Sequence, residues 1–165
     1  MYRSILKTAA GVLCAVFVLF MPSASAATAT TTFPVTATVG SSCSVVAANL
    51  DFGTYDPLAL LAATATTTVT VQCTLLTASI GLDAGTGAGA TVATRKMTKA
   101  ADTLAYSLYQ DVAHLLVWGN TIGTDTVGGV GTGLAVPHTV YGQIPAGQNV
   151  NTGVYNDTIT VSVDF

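Results

Sequence analysis

Two histidines, eight acidic residues, all of them Asp, and three cysteines are the side chains in this sequence best suited to chemistry. A histidine base or a metal site needs partners at short, regular spacing. His114 lies in "QDVAHLLVWG" and His138 follows Pro137, and neither has a nearby Cys, Glu or second His at ligand spacing. Both read as surface-loop residues. Asp51, Asp56 and Asp157 flank turns or strand ends, where Asp commonly accepts from local backbone N–H groups. The glycine-rich stretches "GTGAG" and "GGVGTG" match no phosphate-binding pattern leading into a helix, so they read as loops. The expectation is no catalytic residue, no metal and no cofactor.

Aromatic side chains offer a different chemistry. Tyr106, Tyr109, Trp118, Tyr141 and Tyr155 could stack on sugars, although aromatics on strands more often pack cores and edges. The cysteines depend on compartment. The chain opens with Arg3 and Lys7, an apolar run from Ala9 to Met21, then Pro22 and the small residues Ala24-Ser25-Ala26. That is the grammar of a secretory signal peptide over 1–26, with cleavage expected after Ala26. The apolar run spans about 20 Å as a helix, short of a bilayer core of about 30 Å. Cys14 leaves with the signal, because Leu13 stands where a lipoprotein signal has a small residue. Cys43 and Cys73 remain in an exported chain, and an intramolecular disulfide is the default reading.

Charge excludes further partners. Without Arg3 and Lys7 the basic residues are Arg95, Lys96 and Lys99, against eight aspartates. So acidic a chain has little means of holding nucleic acid or an anionic membrane, and no membrane insertion is expected after signal cleavage. Only 8% of residues are charged. Such a chain associates unless its strand edges are protected.

The elements positioning these residues read as strands throughout. "TTFPVTATV" alternates Phe33, Val35, Ala37 and Val39 against Pro34, Thr36 and Thr38. "CSVVAANLDFGTYDP" holds two short β-prone pieces, and "TTTVTVQCT" puts Val69, Val71 and Cys73 on one face. "ASIGLDAGTGAG" reads as a strand entering a loop. The charges of "RKMTKAADT" suggest a solvated connection. "LAYSLYQD" and "LLVWGN" read as a hairpin turning near Asp111 to His114, and "GTDTVGGVGTG" as a flexible surface loop. A strand follows around Thr139 to Gln143, with a turn at Pro145-Ala146-Gly147. The closing "YNDTITVSVDF" alternates Tyr155, Ile159, Val161, Val163 and Phe165 against polar neighbours. No window carries helical periodicity, and short strands separated by turns indicate an all-β sandwich or barrel of one domain.

Two alternating segments at opposite ends are costly if left bare, and strand addition between molecules resolves both. Only Gly40-Ser41-Ser42 separates Val39 from Cys43, a reach of about 10 Å. The segment can fold back beside the first strand or extend into a neighbour; periodicity alone does not choose.

The order Cys43-x-Val45, "LDFGTYDP", "VTVQC", "RKM", "LAYSLYQD", "WG", "VYGQIPAGQ" and "GVYNDTITVSVDF" resembles the spore coat protein U domain. That family includes pilin subunits of the archaic chaperone-usher pathway of Gram-negative bacteria. The likeness spans Cys43 to Phe165, and Gly153-x-Tyr155-x-Asp157-Thr158 with its alternating tail is the most specific part.

The resemblance implies an incomplete immunoglobulin-like β-sandwich whose missing strand comes from another subunit. A periplasmic chaperone would lend that strand first, and at the outer-membrane usher the next subunit's N-terminal extension, 27–42 here, would replace it. Phe33, Val35, Ala37 and Val39 would be the donor side chains, and Tyr155, Ile159, Val161, Val163 and Phe165 would form the acceptor groove and chaperone-binding strand of a pilin domain over 43–165. Cys43 and Cys73 match the family's disulfide. The chain would then end at Phe165 because its next strand arrives in trans. Pro34 cannot donate to a ladder, so either its nitrogen faces away from the partner or pairing begins at Val35. The implied protein is a structural pilin subunit of a surface fibre, reached through the periplasm, with identical or related subunits as partners and a role in adhesion or biofilm formation. A secreted spore-coat or matrix protein of the same fold is the alternative, followed by a glycan-binding sandwich.

Overall fold

The computed structural model describes residues 27–74 and 77–165; the signal-peptide expectation over 1–26 lies outside them. The architecture below is that of the unit Thr38–Phe165. Eight strands occur among the described residues: β1 (Cys43–Ala47), β2 (Ala63–Cys73), β3 (Thr77–Leu82), β4 (Arg95–Lys99), β5 (Asp102–Tyr109), β6 (Val127–Val130), β7 (Ala135–Ile144) and β8 (Val161–Asp164). They form a five-stranded sheet in the order β1-β2-β7-β5-β4 and a three-stranded sheet in the order β6-β3-β8. Every pairing is antiparallel.

Period two explains the core. Along β2, Val69, Val71 and Cys73 are buried while Thr64, Thr66 and Gln72 are exposed, as a strand with one face on a core requires. Val140 and Ile144 of β7, Leu104, Tyr106 and Leu108 of β5, and Ile80 and Leu82 of β3 complete the apolar layer. Cys43 and Cys73 are register partners and are joined by a disulfide, which marks one end of the sandwich. At that end Gly131 lies against the Cys73 and Thr74 carbonyls, and Gly133 N–H donates to Cys73 O. Val130 pairs with Thr77 there and Asp164 with Ser79.

One long side of the sandwich is closed. Trp118 N–H donates to Leu108 O and Leu82 N–H to Gly119 O, stitching β5 to β3. The Trp118 indole, 1% exposed, also donates to Ile80 O at 2.9 Å. Arg95 is fully buried beside it. Its Nε donates to Asp83 O at 2.7 Å, Nη1 to Val92 O at 2.7 Å, and Nη2 to Leu82 O at 3.0 Å and Trp118 O at 2.7 Å. A guanidinium has five donors in a rigid fork, and this one is satisfied by backbone carbonyls from three chain segments.

Several local expectations change. "RKMTK" is strand β4 rather than a solvated connection, because Arg95 exchanges water for a carbonyl cage. The segment read as a flexible glycine-rich loop contains β6, since β3 supplies a ladder to Val127–Val130. The hairpin after β5 does turn at Asp111 to His114, with Gln110 N–H donating to Leu116 O, but its second leg reduces to one bridge, Tyr109 to Val117. His138 is in β7 rather than a loop; it is half-buried, shares its face with Val140 and Ile144, and burial lowers its pKa.

Candidate functional site

The side of the sandwich opposite Trp118 is open. There β1 has a free edge in the larger sheet and β8 a free edge in the smaller one. Between the sheets lies a cleft of about 1100 Å³, lined along its floor by Val69, Leu82, Leu104, Tyr106, Val140 and Ile144. Those side chains are almost wholly buried, yet Val45, which shares the inward face with Cys43 and Ala47, is 39% exposed.

The terminal segment builds one wall. From Tyr155 to Asp164 half-buried and exposed residues alternate without a break, although only Val161–Asp164 has a ladder. The segment changes sheets on the way. Asn156 exchanges both backbone hydrogen bonds with Thr98 on β4, whereas Asp83 N–H donates to Thr160 O and Leu82 pairs with Val161 on β3. Tyr155 to Thr160 is therefore extended but largely unpaired, shorter in ladder than the continuous strand its alternation suggests.

Two carboxylates hold this crossing. Asp157 Oδ2 accepts from the Tyr106 hydroxyl at 2.8 Å, and Oδ1 from Thr86 N–H at 2.7 Å, Thr86 Oγ1 at 2.8 Å and Thr158 N–H at 2.7 Å. Asp83 Oδ1 accepts from Thr160 N–H at 2.9 Å and Gly85 N–H at 3.0 Å. Burial pushes the Asp83 carboxyl up, but the Thr160 and Gly85 hydrogen bonds and the Arg95 charge outweigh it and hold it below the usual value. Burial, then the hydrogen bond and charge of Asp157, push the Tyr106 hydroxyl well above the ordinary tyrosine value. Burial lowers the Arg95 pKa, against the opposing influence of Tyr106 and the aspartates.

The β1–β2 connection forms the other wall. Leu50, Phe52 and Tyr55 are half-buried, with Phe52 edge-on to Tyr106 at 6.0 Å between ring centroids. Gly142 makes room for them: a Cβ there would meet Leu50 Cδ2 and Phe52 Cζ at 2.7 Å. The Tyr55 hydroxyl donates to Pro145 O and accepts from Gln148 N–H, both at 2.9 Å. The Gln148 side chain in turn takes both backbone groups of Ala105, so "VYGQIPAGQ" fastens this wall to β5.

The cleft brings together Tyr155, Ile159 and Val161 of the acceptor residues named from sequence. Val163 is half-buried opposite Ile80, and Phe165 is 58% exposed beyond β8; neither lines the cleft. Phe33, Val35, Ala37 and Val39 lie in no strand and are exposed. Asp157, Tyr106, Phe52 and Tyr55 are cleft residues that sequence reasoning missed. Asp157 was findable, since it shares its parity with Tyr155 and Ile159. Of the aromatics considered for sugar binding, Tyr106 and Trp118 belong to the core, while Tyr109 and Tyr141 pair across β5 and β7 with His114 edge-on to both. Among the described residues no group of three or more His, Cys, Asp or Glu could hold a metal ion.

A family model described as Spore Coat Protein U domain matches residues 29–162. A curated protein of Myxococcus xanthus named Protein U is 43% identical over 177 residues, covering 97% of this chain and 98% of that one. A solved structure described as the CsuC-CsuE chaperone-tip adhesion subunit pre-assembly complex, from archaic chaperone-usher Csu pili of Acinetobacter baumannii, matches with a TM-score of 0.56 at 18% identity. The match covers 78% of this chain and 41% of that chain, so the chain spans about two-fifths of its length. That likeness is one of fold: an all-β sandwich open where a closing strand is absent.

Proposed function

This chain belongs to the Spore Coat Protein U domain family, and on that premise we propose that it is a structural, non-enzymatic pilin subunit of a chaperone-usher surface fibre, polymerising by strand exchange. The observation that carries this reading is the open cleft between the free edges of β1 and β8. An apolar floor and two bare edges are what an incoming strand covers. Residues 1–26 act as the export signal and 27–42 as the donor extension, with Phe33, Val35, Ala37 and Val39 entering the cleft beside Tyr155, Ile159 and Val161, and Val163 and Phe165 continuing the chaperone-binding strand beyond it. A periplasmic chaperone holds the cleft before assembly at an outer-membrane usher, and the product stands on the cell surface.

Register supports a donor that serves another molecule. Ser42 is already committed to β2, its N–H donating to Thr74 Oγ1 and its C=O accepting from Thr74 N–H. A two-residue turn at Gly40-Ser41 would pair Val39 with Ser42. It would set Phe33, Val35, Ala37 and Val39 on the face of Ser44 and Val46, away from the cleft, and turn Pro34, Thr36 and Thr38 inward. A three-residue turn at Val39-Gly40-Ser41 pairs Thr38 with Ser42 and sets Phe33, Val35 and Ala37 inward, but it spends Val39 in the turn. The remaining choice runs the donor antiparallel to β8 with Val39 at the end far from the disulfide. Residues 33–39 extend about 20 Å, and the step from Val39 to Ser42 reaches only about 10 Å. Only a second subunit's cleft accepts all four donor side chains, Val39 included, and this supports exchange between subunits.

The test is electrophoresis of surface extracts, unheated and heated, for the intact chain, for a chain lacking Ala27 to Val39, and for Val35→Asp or Ala37→Asp. A detergent-resistant ladder that collapses on heating, is lost with the deletion and is weakened by either charge is expected. Unaltered ladders in all variants sink the proposal. A second reading, a secreted coat or matrix protein assembled by the same exchange, is favoured by the family description, Spore Coat Protein U domain, and by a relative 43% identical over nearly the whole chain. Immunogold labelling separates the two: thin fibres projecting from the cell support the pilus, and a continuous surface layer supports the coat.

A further inference from the structure

Both ends of the sandwich carry exposed aliphatic side chains that the cleft does not use. At the end away from the disulfide, Leu58, Leu60 and Leu61 are 87%, 94% and 81% exposed. They are held outward by a tight turn in which Leu58 N–H donates to Asp56 Oδ1 and Ala59 N–H to Asp56 O. Pro57, immediately before them, belongs to the cleft wall. At the disulfide end, Val130 and Leu134 are 68% and 71% exposed. Leu134 follows Gly133, which is fixed by its N–H to Cys73 O and by Gln72 Nε2 donating to Gly133 O. Ser42, Ser44, Gln72, Thr74 and Gly133 border a recess of about 160 Å³ there.

The tether brings these two ends together. A donor strand running antiparallel to the terminal segment would leave the acceptor cleft at the end where Pro57 lines it, next to Leu58 in sequence. Gly40 and Ser41 follow, and then Ser42, which is pinned to Thr74 at the disulfide end of the donor subunit. In a polymer joined that way, the disulfide end of one subunit would lie within about 10 Å of the leucine-bearing end of the next. Aliphatic side chains so exposed gain by covering one another.

We propose that in the assembled polymer Leu58, Leu60 and Leu61 of one subunit pack against Val130 and Leu134 of the adjoining copy, beside the recess at Ser42, forming a second contact that fixes the angle between subunits. It rests on the strand-exchange reading, and its occupant is a second copy of this chain. The two surfaces differ, so the contact is heterologous and propagates without closing.

Polymers of the full chain carrying Leu60→Cys and Leu134→Cys are oxidised, then heated without reductant and run on a gel. Covalent multimers that reductant dissolves are the expected result; a ladder before heating with only monomers after it overturns the contact while leaving strand exchange standing. The triple variant Leu58→Ser, Leu60→Ser, Leu61→Ser should keep its ladder, while its fibres bend more, with persistence length reduced several-fold in electron micrographs. Unchanged persistence length also overturns the contact. Absence of any ladder from the unmodified chain overturns strand exchange and this contact with it.

Discussion

The Tyr106 hydroxyl donates to Asp157 Oδ2 at 2.8 Å, tying the floor of the cleft to its wall where the terminal segment passes from one sheet to the other. That bond helps set the shape of the cleft.

Replacing Asp157 with Ala leaves the Tyr106 hydroxyl, Thr86 and Thr158 N–H without their acceptor. A loss of about 1 to 3 kcal/mol is expected, measured by urea denaturation. Asp157→Asn, which keeps one acceptor oxygen, should lose less. Equal losses would mean that the carboxylate's hydrogen bonds are not what matters at this position.

Alkaline stability follows from the same pair. The Tyr106 pKa is raised from 10.0 by burial first and then by Asp157, so the folded chain retains a proton that the unfolded chain releases. Its contribution is fully present below pH about 10 and declines as pH rises above that value. Melting temperature between pH 8 and 11.5 should fall more steeply in the wild-type chain than in Tyr106→Phe. Parallel profiles would remove Tyr106 from the alkaline transition.

Arg95 makes a sharper case. Arg95→Met leaves the Leu82, Asp83, Val92 and Trp118 carbonyls without their donors, and Arg95→Lys cannot match the fork. Each orphaned buried group costs about 1 to 3 kcal/mol, so both variants should unfold well below the wild-type melting temperature, Lys included. A melting temperature for Arg95→Lys within a degree or two of wild type would show that the charge matters and the fork does not.

The disulfide encloses a sequence separation of 30, and Cys43→Ser with Cys73→Ser should cost about 3 to 4 kcal/mol in the chain-entropy model. The pair sits where β1 meets β2, next to the Ser42 anchor. Hydrogen exchange at Ser44 to Ala47 should therefore accelerate more than at Leu104 to Leu108. Uniform acceleration would mean that the bond acts only on global stability.

Sequence by itself determined what period two can encode. The all-β class, the inward faces of β2 and of the tail from Tyr155, and the lone pair of cysteines in the expected mature chain were legible because each depends on residues a few positions apart. The motif ending in "GVYNDTITVSVDF" carried the family and, through it, the open sandwich. Tertiary structure alone decided which alternating residues find a ladder. Tyr155 and Val161 obey the same pattern, yet only Val161 lies beside β3, because the segment crosses between sheets at Asp157 to Thr160. Lys96 and Arg95 are adjacent and equally charged in sequence, but only Arg95 meets carbonyls gathered from Leu82, Asp83, Val92 and Trp118. His138 turned inward for a similar reason, since its face follows from its register with Val69. Alternation is local, whereas a strand's partner and a charge's burial depend on residues that only the folded chain brings near.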